Sequence, residues 1–197
     1  MGSRKLVIFF VFVLLVGGGY TFYHYWSSVG VISPDFNESR VQGALIAQNI
    51  VTLSNQSALD LSKIGELDRA GKFTEAVNLT SDAVAQSQKI RDQAVALSSE
   101  TEKMTKSLSS IDSFEARQAA LESIANRLAL ISRLINYSGY LSQLLDILRD
   151  RFDGNITKGQ TAQIGSLVQL INGEVNAINN FNNQAAQAMD RFDKIVK

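Results

Sequence analysis

Beyond residue 34, apolar residues recur at alternating spacings of three and four positions, and the strict alternation expected of a half-buried strand is nearly absent. This period places the apolar side chains along one side of a helix. Three breaks interrupt the pattern, at residues 70–72, 107–113 and 153–155. The sequence therefore predicts four helices near residues 35–70, 73–108, 113–153 and 157–196, each roughly 50–60 Å long at 1.5 Å per residue.

Capping signals mark three of the predicted helix starts. Before the first helix, Ser33 can serve as the N-cap and Pro34 as the first helical residue. Ser113 can cap the third helix. Thr157 and Gln160 have the spacing of a capping box for the fourth helix.

A seven-residue repeat supports the prediction of packed helices. In the second helix its two seam positions hold Ala76, Ala83, Ile90, Leu97, Met104 and Ile111, and Thr80, Ser87, Ala94, Thr101 and Leu108. In the fourth helix they hold Ile164, Ile171, Ile178, Ala185 and Phe192, and Val168, Val175, Asn182, Met189 and Val196. The first helix has Ile46, Ile50, Leu53, Ser57, Leu61, Ile64 and Leu67. Such spacing predicts coiled-coil-like packing.

The third helix has a less regular pattern. A first set of seam residues comprises Leu121, Ile124, Leu128, Ile131 and Ile135, and a second set, after a change of phase, comprises Leu141, Leu145, Leu148 and Phe152. The change falls at residues 136–140, where Gly139 lies inside the helix. A helical glycine costs about 1 kcal/mol relative to alanine. The segment is therefore compatible with a small pocket or close helix contact, or with a local kink between two half-buried tyrosines.

These patterns together predict an all-α fold. Long helices with a single apolar stripe are unstable alone in water, so they bury the stripe against one another. Short connections between helices of equal length favour antiparallel neighbours. We therefore expect residues 35–197 to form an antiparallel up-down-up-down four-helix bundle, with Lys197 near the end where the bundle begins.

The N-terminal segment predicts a membrane anchor. From Leu6 to Trp26 the chain has no Asp, Glu, Lys or Arg, and about 20 such residues suffice for a helix to cross a bilayer. Arg4 and Lys5 precede this stretch, and the next basic residue is Arg40. The bias predicts a cytoplasmic N-terminus at residues 1–5, a transmembrane helix at 6–28, a linker at 29–34 and an extracytoplasmic bundle at 35–197.

A cleaved signal peptide is the alternative interpretation of this segment. Residues 6–16 have the length of a signal-peptide apolar region, and Gly17 and Gly19 satisfy a small-residue cleavage rule, which would release a secreted protein. Tyr20, Tyr25 and Trp26 favour a retained anchor, because aromatic rings with polar tips suit the membrane interface.

Composition excludes several classes of function. The chain carries 19 basic and 19 acidic residues, so it lacks the positive charge that nucleic-acid binding requires. It has no cysteine, and its one histidine, His24, lies in the aromatic segment. Triad catalysis, di-iron ligation and haem ligation all need residues that the predicted bundle lacks. We therefore predict no catalytic, cofactor-binding or metal-binding residues, no cofactor and no small-molecule substrate.

The sequence thus favours a non-enzymatic, single-pass membrane protein of the cell envelope. We expect it to act as a scaffold or adaptor that binds a protein partner, or itself, through a face of the bundle. The alternative is a ligand-sensing domain that resembles the four-helix input modules of bacterial receptors. Such a domain would need a separate membrane partner to signal.

Overall fold

The computed structural model describes residues 33–155 and 157–196, and these residues form four long helices. They are α1 (Pro34–Arg69), α2 (Phe73–Lys106), α3 (Phe114–Phe152) and α4 (Gln160–Ile195), with a short 3-10 helix (Ser107–Ser110) between α2 and α3. The described part contains no strand. The prediction of an all-α fold is confirmed, and the predicted helix boundaries lie within about three residues of the observed ones.

The predicted cytoplasmic N-terminus at 1–5 and transmembrane helix at 6–28 lie outside the described residues. Among the four helices that are described, none combines the length and the apolar character that a membrane span requires.

Of the three predicted helix starts, the one at α3 is confirmed with its cap and the one at α1 is confirmed in position only. Pro34 is the first residue of α1, although the side chain of Ser33 makes no capping hydrogen bond. At α3, Ser113 Oγ accepts a hydrogen bond from the Ala116 backbone N–H at 3.2 Å. The capping box at residues 157–160 is wrong. Gly159, at φ +90°, precedes the helix, and the Gln160 side chain donates to the Ile147 carbonyl on α3 instead.

Neighbouring helices run antiparallel. Ser123 on α3 donates to the carbonyl of Ala185 on α4, whereas Asn136, further along α3, contacts Glu174, which lies earlier on α4. The same reversal of order relates α1 to α2 and α2 to α3. The closest helix packing is between consecutive helices.

Side chains near one end of the bundle join α1 to α4. The rings of Phe36 and Phe192 lie 5.3 Å apart between centroids. One helical turn further along α1, Arg40 forms an ion pair with Asp193. The start of α1, the end of α2, the start of α3 and the end of α4 all meet here, and we call this the Phe36 end. A small apolar cluster at this end is separate from the larger core of the bundle.

The seam predicted for α2 is buried as expected. Its fully or nearly fully buried members are Ala76, Ala83, Ile90, Leu97, Met104, Thr80, Ser87, Ala94 and Thr101. On α4 the buried seam residues are Ile164, Ile171, Val175, Ala185, Met189 and Phe192, with the others half-buried. Burial therefore follows the seven-residue repeat on both helices.

The seam predicted for α3 is partly wrong. Leu121 and Leu128 are exposed. The buried stripe instead repeats every seven residues without interruption, through Ile124, Ile131, Ser138, Leu145 and Phe152. The apparent phase change arises because the seam position at 138 holds a serine, whose hydroxyl donates to the carbonyl of Ile135. A Cβ on Gly139 would meet no atom within 4 Å, so the interpretation of a close helix contact at this glycine is also wrong.

Candidate functional site

Several polar side chains lie between the helices of the bundle and form hydrogen bonds there. Between α1 and α2, the buried carboxylate of Asp60 accepts hydrogen bonds from the amides of Gln56 and Gln86, each at 2.8 Å. Two neutral donors satisfy both oxygens of this carboxylate. Asp60 is therefore a structural group that connects two helices, with no free oxygen for a ligand.

Similar contacts occur at the next two helix interfaces. The hydroxyls of Ser87 on α2 and Ser142 on α3 lie 2.6 Å apart, and Ser123 on α3 donates to the Ala185 carbonyl on α4 at 2.9 Å. A shift of one helix along its neighbour would leave the buried hydroxyl of Ser123 unpaired, which costs about 1–3 kcal/mol. It would also break the contact between Ser87 and Ser142, although Ser87 keeps a hydrogen bond to the Val84 carbonyl of its own helix. These polar contacts therefore fix the register of the bundle.

The carboxylate of Glu174 has weaker hydrogen bonding than that of Asp60. Its side chain is buried on α4, where Oε1 lies 3.4 Å from the Asn136 amide nitrogen and 3.5 Å from a guanidinium nitrogen of Arg133. Its other oxygen, Oε2, is buried and has no hydrogen-bond partner among the described residues. Such an acceptor is unusual in a folded protein. Asn136 belongs to the irregular segment at 136–140, so the structure brings that segment next to the buried carboxylate of Glu174.

Arg127 contributes an isolated positive charge between the two apolar clusters. Its guanidinium lies 3.6 Å from the sulfur of Met104, and no carboxylate in the described part forms an ion pair with it. Burial, together with the like charge of Arg40, lowers the pKa of Arg127 to about 10. The residue remains charged at neutral pH and has no proton-transfer role there.

Tyr137 lies beside the seam serine of α3 and is buried. Burial raises the pKa of its phenol to about 12, because the ionised form is disfavoured away from water. The phenol therefore stays protonated at neutral pH. Within the described residues, no group of three or more His, Cys, Asp or Glu side chains is arranged to hold a metal ion.

The outer surface of α3 carries large apolar side chains. Phe114, Leu121 and Leu128 follow one another at intervals of seven residues and are 75%, 51% and 48% exposed. Four residues after each of them, on the same face, lie Gln118, Ala125 and Ser132, which are also exposed. We call these six residues the outer stripe of α3. It has no charged member over about five turns of helix.

Charged residues lie along both edges of the outer stripe. Arg117 lies on one edge and donates two hydrogen bonds to the Ile111 carbonyl. Glu115 and Glu122 lie on the other edge, and Glu122 forms an ion pair with Arg191 on α4 at 2.5 Å. An uncharged strip bordered by charge has the anatomy of a protein interface, in which charged groups are depleted from the centre.

Exposed apolar residues elsewhere in the described part form no comparable pattern. Single exposed leucines are ordinary on protein surfaces. On α1, Leu45 and Leu59 are exposed but are separated by Thr52 at the intervening seven-residue position. No other exposed large apolar residue lies seven positions from Val95 on α2 or from Leu170 on α4. The outer stripe of α3 is therefore the most extended exposed apolar feature of the described bundle.

Sequence reasoning misassigned this surface, because it placed Leu121 and Leu128 in the buried seam. The signal that identifies it is the presence of two parallel seven-residue repeats on α3, one through Ile124 and Ile131 and the other through Leu121 and Leu128. Comparisons of the chain with protein-family models, with curated proteins and with solved structures found no match.

Proposed function

We propose that this chain is a non-enzymatic scaffold or adaptor of the cell envelope. In this proposal, residues 6–28 anchor it in the cell membrane as a single span with the N-terminus in the cytoplasm, and the four-helix bundle lies on the extracytoplasmic side. The uncharged stretch from Leu6 to Trp26, with Arg4 and Lys5 before it, supports the anchor and its orientation.

The outer stripe of α3 supports the binding role. Its three large apolar side chains repeat at the same seven-residue interval as the buried seams, which suits a helix as the binding partner. The surface has no charged centre, so a helical partner would bury it without leaving an unpaired charge. The chain lacks cysteine, and its one histidine lies at position 24, which supports a binding role over the common nucleophile and metal chemistries.

Photo-crosslinking in native membranes tests this proposal. A photoreactive residue at position 121 is compared with one at position 59, because both sites hold a leucine of similar exposure, 51% and 54%. We expect protein adducts from position 121 and few from position 59. Recovery of only uncrosslinked chain from both positions would remove the basis for a binding role. Protease treatment of intact cells tests the orientation, since an extracytoplasmic bundle is accessible to the protease.

A second candidate function is a ligand-sensing domain that signals through a separate membrane partner. The buried Oε2 of Glu174, beside Asn136, supports it, because a ligand that donates a hydrogen bond would satisfy this oxygen. A thermal-shift screen of the full chain against small metabolites tests this function. A sensor gains stability when its ligand binds, and a Glu174→Gln variant should lose part of that gain.

A further inference from the structure

We propose that the outer stripe of α3 binds the same stripe on a second copy of the chain, with the two α3 helices parallel. This inference rests on the proposed function and names the partner of that surface. It makes the scaffold a symmetric dimer.

The residue order along the stripe fits a two-stranded coiled coil. Large side chains occupy one core position of the repeat, at Phe114, Leu121 and Leu128, and smaller or flexible ones occupy the other, at Gln118, Ala125 and Ser132. In a parallel pair each large side chain lies beside its own equivalent in the partner and fills the space next to the smaller residues. The stripe is therefore complementary to itself.

The charges at the edges of the stripe select the parallel arrangement. With Leu121 as a core residue, Arg117 and Glu122 take the two positions that flank the core on opposite sides, five residues apart. In a parallel pair these positions lie next to each other across the interface, so Arg117 of one copy meets Glu122 of the other. An antiparallel pair would bring Glu115 and Glu122 of one copy next to the same two glutamates of the other, where Arg191 offsets only the charge of Glu122. Like charges in that position oppose association.

The proposed membrane anchor also favours the parallel arrangement of the two α3 helices. Two copies held by N-terminal spans in one membrane have the same orientation, and their confinement raises the effective concentration of each for the other. An antiparallel pair would require one bundle to invert relative to its anchor. The contact between two α3 helices alone is modest, so confinement in a membrane is part of what makes it stable.

Single-cysteine crosslinking of the full chain in membranes tests the dimer, and the natural sequence provides a cysteine-free background. The test variants are Phe114→Cys, Leu121→Cys and Leu128→Cys. The controls are Leu59→Cys on α1 and Val95→Cys on α2, both exposed apolar positions outside the stripe. We expect oxidation to give disulfide-linked dimers at all three stripe positions, at least fivefold above the controls.

The pattern of crosslinks reports the orientation. A parallel pair brings each of the three positions next to its own equivalent. An antiparallel pair would instead give a homodimeric crosslink only near its axis, and a mixture of the 114 and 128 variants would crosslink to each other. That pattern, or equal crosslinking at stripe and control positions, would overturn the inference.

Charge reversal provides a second test in the Leu121→Cys background. We expect Arg117→Glu or Glu122→Arg alone to reduce the dimer yield at least threefold, and the two together to restore it. Each of these residues also has a contact within its own chain, so circular dichroism must show that every variant retains its helix content. Failure of the double variant to recover, with the fold intact, would contradict the pairing of these residues.

The outcomes separate this inference from the proposed function. A photo-adduct from position 121 to a different protein, without a dimer, would refute the second copy as partner and leave the scaffold role standing. An adduct to residues 6–28 of the same chain would also refute the dimer. The absence of any adduct from position 121 would refute both.

Discussion

Arg40 and Asp193 are 153 positions apart in the chain, and two hydrogen bonds of 2.6 Å join them side by side. Their side chains are only 14% and 8% exposed. Because α1 and α4 are the first and last helices of the bundle, this ion pair joins helices that are far apart in the sequence. The rings of Phe36 and Phe192 lie beside it. Closure of the bundle at this end therefore combines a bidentate ion pair with an aromatic contact.

We expect Asp193→Ala to destabilise the fold by about 2–4 kcal/mol, because removing one partner leaves the charge of Arg40 poorly solvated and unpaired. The nearby positive charge of Arg127 repels that of Arg40, and this repulsion adds to the cost of removing Asp193. The free energy of unfolding in urea measures the effect. As a control, Lys106→Ala removes an ion pair with Glu102 that is well exposed, and it should have a much smaller effect than Asp193→Ala because water screens exposed pairs. Equal effects of the two variants would contradict a closing role for Asp193.

The position of Tyr137 gives the bundle a specific dependence on pH. Its phenol has a pKa of about 12 in the folded chain, raised by burial, against about 10 for an unfolded chain. Its contribution to stability is therefore fully present below pH 10 and is lost as the pH rises towards 12, because the unfolded chain releases the proton first. The loss is about 1.4 kcal/mol per pH unit within that window.

Urea unfolding between pH 8 and pH 11.5 tests this expectation by comparing the native chain with Tyr137→Phe. The variant lacks the phenol and should lose that part of the slope. Arg127 acts in the opposite sense above pH 10, because burial lowers its pKa in the folded chain. The comparison of two chains that both retain Arg127 cancels its contribution. Identical slopes in the two chains would show that the phenol of Tyr137 is not buried from water.

The sequence predicts the helices well, because the seven-residue repeat depends only on the period of the helix and on burial of apolar groups. It predicts the face of α3 poorly. A leucine at 128 is a natural choice for a core position, but the structure leaves it exposed and gives the seam a serine at 138. Which of two adjacent stripes is buried depends on where α2 and α4 lie, and that is a tertiary property. The pairing of Arg40 with Asp193 is equally long-range.

Two glycines within helices should respond differently to alanine. At Gly139 an added Cβ meets nothing within 4 Å, so Gly139→Ala should stabilise the fold by about 0.5–1 kcal/mol through its greater helix propensity. At Gly43 the added Cβ would lie 3.3 Å from a guanidinium nitrogen of Arg127 and 3.4 Å from a methyl group of Leu97. These tight contacts should offset the gain there. Thermal unfolding measures the difference, and a stabilisation of Gly43→Ala equal to that of Gly139→Ala would show that α1 has room to move away.

Two of the buried carboxylates, those of Asp60 and Glu174, provide a test with opposite expected signs. Asp60 receives hydrogen bonds from the amides of Gln56, which is exposed, and Gln86, which is half-buried. Asp60→Leu should therefore destabilise the fold by about 1–3 kcal/mol, mainly because the amide of Gln86 loses its acceptor. Glu174 has one buried oxygen without a donor, and its neighbour Arg133 is exposed enough to be solvated by water. We expect Glu174→Met to be neutral or to stabilise by up to about 2 kcal/mol, since an apolar side chain avoids the cost of the buried charge. Urea unfolding of the purified chain gives both values. If Glu174→Met is as destabilising as Asp60→Leu, the second oxygen of Glu174 has a partner in solution, and the search for a bound ligand should begin at that oxygen.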